Sequence, residues 1–191
     1  MSAVKVSYFS DALCIWAYVA QARIDAVRVK FGDTARLDHR FCSVFANTAV
    51  KIPSTWREGE YARFNAHLRN VAQQFPHIEI HPDIWLKTRP PTSTSAHLFM
   101  IAVQQRQQES EREGQGQTAA AIFDRLLWAF RCAFFRDGRD IARWDVQWLK
   151  LSALTSTRSK NVFTMEPHLP GWLPTTRMPR SWASKAVQAL S

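Results

Sequence analysis

A chain of 191 residues that is 46% hydrophobic can bury one sizeable core and has no need of a second domain. Its net charge of +9 suggests an anionic partner, but the distribution excludes nucleic acid: residues 150–191 carry Lys150, Arg158, Lys160, Arg177, Arg180 and Lys185 against Glu166 alone, and elsewhere basic and acidic residues interleave. No apolar run reaches the roughly 18–20 residues of a membrane span, and the opening "MSAVKVSYF" lacks the pattern of a secretory signal, so a cytoplasmic protein without a membrane partner is expected.

In chain order, Val4, Val6 and Tyr8 alternate with Lys5 and Ser7 and predict a strand, which Ser10-Asp11 breaks. From Leu13 to Phe31 the apolar positions Trp16, Val19, Ala20, Ile24, Val27 and Phe31 recur at three-to-four spacing. Gly32 then supplies a C-terminal signal, which predicts one helix of about five turns. The stretch "RLDHRFCSVF", residues 36–45, has strand composition. A helical crossover between two strands implies a parallel pair with a right-handed connection.

Further on, "WREGEYARFNAHLRNVAQQF" places Tyr61, Phe64, Leu68, Val71 and Phe75 on one helical face, and Pro76 stops it. "HIEIHPDIW" reads as a short extended piece, and "RPPTSTSAHLFMIAVQQRQQ" as a helix behind a capping Ser/Thr cluster. "EREGQGQT" is a polar link, and "AAAIFDRLLWAFRCAFFRDG" predicts a helix apolar nearly all round, hence well buried.

Three cysteines far apart do not make a disulfide framework and are expected to be free thiols. Cys14 falls where the first strand meets the first helix, where unsatisfied N–H groups and the helix dipole favour a thiolate. Cys42, in a predicted core strand, and Cys132, in an apolar helix, read as packing residues. His77, Glu79 and His81 share one face of an extended piece, but with no further ligand group evident no metal site is expected.

The turn Ser-Asp-x-x-Cys-x-Trp in "YFSDALCIWAYV", the helical middle and "LLWAFRCAFFRDGRDIA" resemble the DsbA-like branch of the thioredoxin fold. That branch also contains 2-hydroxychromene-2-carboxylate isomerases and is similar to the kappa-class glutathione transferases. The resemblance covers residues 3 to about 148. It implies an α/β fold with a thioredoxin-like strand-helix-strand core, a large helical insertion over about 50–140, and a terminal β-hairpin and helix. A domain over 1–149 and an atypical tail over 150–191 follow.

The resemblance also implies a thiol-disulfide oxidoreductase acting on a small thiol or disulfide, with Cys14 catalytic and Ser10, Asp11 and Trp16 at the substrate. Where the familiar motif is Cys-x-x-Cys, this chain has Cys14-Ile15-Trp16-Ala17, and Ala17 cannot resolve a mixed disulfide. A monothiol route is thus implied, with no bound cofactor and glutathione as candidate co-substrate. Two other classes stay open. One is a glutathione-dependent isomerase or transferase in which Cys14 or Ser10 activates glutathione; the other is an inactive fragment or binding module with an ordinary Cys14.

Residues 150–191 hold four of the nine prolines and show neither a sustained helical period nor β-rich alternation. Irregular structure is expected there, with a short helix near Trp182 to Leu190. The terminal hairpin is expected to be missing, and with it the cis-proline turn that faces the active cysteine in the resembled fold. An out-of-frame tail explains this texture. Gly171 to Ser191 has synonymous codons whose shifted frame reads "LATDYQDAQVMGIKGSPSFVL": a helix, a Gly-Ser-Pro-Ser turn and a β-rich strand. The slip falls near Trp148 to Lys150, and a chain lacking the hairpin is expected to be marginally stable.

Overall fold

The computed structural model describes residues 3–57, 59–113 and 116–156. The expectations for 157–191, including the short helix near Trp182, the missing hairpin and the shifted frame, lie outside the described residues.

Strand β1 (Val4–Ser10) pairs in parallel with β2 (Ala35–Phe41), in register from Val4 opposite Ala35 to Ser10 opposite Phe41. The helix expected between them is two pieces, α1 (Ile15–Val19) and α2 (Gln21–Phe31), and it starts at Ile15 instead of Leu13. The break has a tertiary cause. His77 Nε2 lies 2.9 Å from the Val19 carbonyl oxygen, and the Arg23 N–H donates to Ala20 O at 3.0 Å instead. A side chain from a distant segment thus occupies an acceptor of the helical ladder. Gly32, at φ +47, ends α2 and starts a short 3-10 turn, Gly32–Thr34.

Cys42 is the first residue beyond β2 and is half-buried, a correction to its expected place in a core strand. The chain turns there because Asp11 Oδ2 accepts the Phe45 N–H at 3.0 Å, drawing residues 42–45 away from the strand direction.

Among the described residues five helices follow: α3 (Thr48–Trp56), α4 (Glu60–Gln73), α5 (Thr94–Arg112), α6 (Gly116–Phe135) and α7 (Trp144–Ser156). Helices α4, α5 and α6 fall within or beside the expected stretches, but α4 starts at Glu60 and not Trp56, and α6 begins at Gly116, inside the stretch expected to be a link. Helix α3 forms despite Pro53, because its N-terminal end is anchored. Asn47 Oδ1 accepts the Val50 N–H at 3.2 Å, and the Thr48 N–H and hydroxyl reach the Pro91 and Pro90 carbonyls at 3.1 and 2.5 Å. Among the described residues the extended piece after α4 gains no strand partner beyond an isolated bridge between Ile84 and Thr88.

Helix α7 runs through Lys150 to Ser156, into the segment read as irregular. Gln147 Nε2 fixes it by donating to Ser95 Oγ at 3.0 Å and to Ile141 O at 2.7 Å, while Lys150 Nζ pairs with Asp137 at 3.2 Å.

The core lies between α1 and the inner faces of α4, α5 and α6, where Leu13, Tyr18, Leu68, Trp85, Phe99, Phe130 and Phe134 are buried. Each such side chain contributes roughly 1.5–3 kcal/mol on burial. Among the described residues no helix is long and apolar enough to cross a membrane.

Candidate active site

Beyond Ser10 the chain leaves β1 through a turn closed by the Cys14 N–H donating to Asp11 O at 3.1 Å. Asp11 organises this turn. Its Oδ1 accepts the Leu13 N–H at 2.8 Å, and its Oδ2 accepts the Phe45 N–H at 3.0 Å and the Ser93 hydroxyl at 2.8 Å. One carboxylate, 1% exposed, therefore ties together the β1–α1 turn, the loop after β2 and the approach to α5.

Burial pushes the Asp11 carboxyl up, yet His97 and the amides of Phe45 and Leu13 hold it below its ordinary value of 3.8. His97 Nε2 accepts the Ala12 N–H at 3.0 Å and lies 3.6 Å from Asp11 Oδ1.

A carboxyl held below its unfolded value stabilises the fold above that value and loses the contribution as pH falls through its folded value. Asp11→Asn is accordingly expected to cost about 2–4 kcal/mol at neutral pH, because buried donors lose a charged acceptor. Thermal melts should show the gap to the parent narrowing below about pH 4.

Cys14 is the N-cap of α1, with φ −84 and ψ 120, and its carbonyl accepts the Ala17 and Tyr18 amides at 3.1 and 3.2 Å. Its side chain is half-buried. Because α1 has only five residues, the helix dipole expected to act on the thiol is a minor influence. The stronger positive charge is one that sequence reading missed.

Arg131 reaches up from α6 with 0% exposure. Its Nη2 donates to Ser10 Oγ at 3.1 Å and its Nη1 to Gln21 Oε1 at 3.1 Å, and it also hydrogen-bonds Tyr8. Burial works against its charge, while Tyr8, Cys14 and Asp11 favour it. Its Nε is buried without a partner. A guanidinium stays protonated in such surroundings, so a fixed cation lies behind the Cys14 turn. The signal in the sequence was a lone arginine inside "LLWAFRCAFF", since a buried charge demands partners.

Ser10, at 4% exposure, and Asp11 sit behind the thiol with their polar atoms already engaged. Trp16 is 53% exposed beside it, its ring edge-on to Phe75 at 6.3 Å between centroids. Cys132 is buried with its sulfur 4.0 Å from the Tyr18 hydroxyl, and burial pushes its thiol up. Cys42 is also pushed up, first by burial and then by the charges of Asp11 and Cys14. Of the histidines singled out, His77 bonds Val19, and His81 Nδ1 accepts the Asp83 N–H at 3.1 Å. Among the described residues no cluster of three His, Cys, Asp or Glu side chains could hold a metal.

No protein-family model matches the chain, and no curated protein matches its sequence. Among solved structures it is similar to a Nitrosomonas europaea protein described as a candidate protein disulfide isomerase. The TM-score is 0.58 at 12% identity, over 79% of this chain and 64% of that one. Cytosolic disulfide reductase DsbM from Pseudomonas aeruginosa, solved with GSH, gives a TM-score of 0.49 at 20% identity, over 80% of this chain and 65% of that one. The chain thus spans just under two thirds of the length of these proteins. The likeness to the Nitrosomonas protein is one of fold alone, and it agrees with a thioredoxin-like arrangement.

Proposed function

We propose that this chain is a thiol-disulfide oxidoreductase that works through Cys14 on small thiols and disulfides, with glutathione as co-substrate. The observation that carries the reading is the buried Arg131 guanidinium, set behind a half-buried cysteine at the end of a parallel strand pair. Ligands of open α/β sheets bind at the carboxyl ends of the strands, which is where the Cys14 turn lies. A cysteine attacks as its thiolate, and a fixed cation lies behind this one.

In the first step the Cys14 thiolate attacks one sulfur of a disulfide, forming a mixed disulfide and releasing the other half as a thiolate. Cys14 then leaves as its thiolate when a second thiol attacks the substrate sulfur. Ser10, Gln21 and Tyr8 hold the guanidinium, and Asp11 fixes the turn, so these are positioning residues. Trp16 supplies an exposed apolar wall for the substrate. A route in which Ser10 activates glutathione is disfavoured, because its hydroxyl is buried and accepts from Arg131.

Turnover of a small aliphatic disulfide by glutathione, followed through coupled NADPH oxidation, tests this. Cys14→Ser is expected to lose more than about 99% of activity, as removal of a nucleophile does. Undiminished activity in Cys14→Ser overturns the reading. So does turnover confined to an electrophile or a chromene carboxylate. We also propose that residues beyond the slip near Trp148 to Lys150 derive from a shifted frame, which the nucleotide sequence over codons 145–192 tests directly.

A further inference from the structure

We propose that Cys42 is the resolving thiol of this chain, filling the role that Ala17 leaves vacant in the Cys-Ile-Trp-Ala turn. The inference rests on the Cys14 reading above. Its first support is placement. Ser10 stands opposite Phe41 in the parallel register, and the Cys42 N–H donates to Ser10 O at 3.1 Å, which sets Cys42 beside Asp11. The Cys14 turn starts from that same Asp11, whose carbonyl accepts the Cys14 N–H at 3.1 Å. One strand spacing of about 4.8 Å and one tight turn therefore separate the two backbones. Both cysteines lie just outside the regular elements, and both are half-buried, whereas Cys132 is buried behind Tyr18.

A second support is electrostatic. Tyr8, on β1, feels the charges of both Cys14 and Cys42, and Cys42 feels that of Cys14. The coupling also sets an order of events. Burial, the Asp11 carboxylate and Cys14 all push the Cys42 thiol up, and the Cys14 contribution is lost once Cys14 is held in a mixed disulfide.

The step balances. The Cys14 thiolate attacks a substrate disulfide, and one substrate thiolate leaves. Cys42 gives its proton to solvent and its sulfur attacks Cys14 Sγ, forming a Cys14–Cys42 disulfide and expelling the second substrate thiolate. Two electrons pass from the protein dithiol to the substrate. An external dithiol, or two molecules of a small thiol such as glutathione, returns the pair to the reduced state.

The test treats the reduced full-length chain with one equivalent of Ellman's reagent, followed by peptide mapping. The parent is expected to release about two equivalents of thionitrobenzoate and to carry a Cys14–Cys42 bridge, as an internal resolving thiol requires. Cys42→Ser is expected to release about one and keep the adduct on Cys14, while Cys132→Ser behaves as the parent. A parent that retains the adduct on Cys14 with Cys42 reduced overturns this proposal alone. A Cys14 that takes no adduct overturns the proposed function and this inference together.

Discussion

Arg131→Met is expected to slow alkylation of Cys14 at neutral pH by at least about tenfold, the equivalent of 1.4 kcal/mol. The guanidinium is fully buried, and among the described residues no carboxylate comes within 4.0 Å of it, so its field is not cancelled by a close partner. Methionine keeps the length of the side chain without the charge. Ser10, Gln21 and Tyr8 lose a donor, which costs stability by about 1–3 kcal/mol. A merely structural role would move only the melt. The proposed role also moves the pH profile: alkylation of Arg131→Met should recover toward the parent rate at alkaline pH, where any thiol ionises. Arg131→Lys should fall between, since it keeps the charge and loses the planar fork. Equal neutral-pH rates in parent and Arg131→Met would remove the electrostatic basis of the site.

The second large effect concerns the outer edge of the sheet. Among the described residues β1 pairs with β2 alone, and Val4, Phe9 and Trp16 are 66%, 67% and 53% exposed. In the resembled fold a terminal hairpin lies along that edge, and the sequence of residues 157–191 shows no alternating pattern to supply one. Unpaired strand edges with apolar side chains template association between chains. A few hundred Å² of apolar surface at roughly 25 cal/mol per Å² is comparable with a domain's net stability. The chain is therefore expected to self-associate with rising concentration. A version carrying the shifted-frame tail should stay monomeric, melt higher by about 10 °C or more and turn over faster. Phe9→Lys is expected to reduce association in the present chain without restoring the melt. A cooperative, monomeric melt at the same temperature in both versions contradicts this.

Those two effects differ in how visible their causes were from sequence. Strand β1 and helices α4, α5 and α6 could be read because apolar spacing of two or of three to four residues is a local property. Cys14 stood out for the same reason, as the junction of two such patterns. What escaped depends on contacts between distant segments. His77 interrupts the first helix from 58 positions away, and Asp11 turns the chain at Phe45 from 34 away, which is why Cys42 read as a core strand residue. Helix α3 was hidden by Pro53, whose cost is offset by anchors at Asn47 and Thr48. Arg131 was concealed by its apolar neighbours, and only the fold shows that it faces Ser10, 121 positions earlier.

The most direct test is a time course of iodoacetamide alkylation at neutral pH, with each cysteine peptide of the native full-length chain quantified by mass spectrometry. Cys14 combines partial exposure with a buried cation behind it, whereas Cys42 and Cys132 are both held in the thiol form. Cys14 is therefore expected to react at least about tenfold faster than either of the others, since the thiolate is the reactive species. Equal rates at the three cysteines, or a faster Cys42, would contradict the assignment of Cys14 as the working thiol.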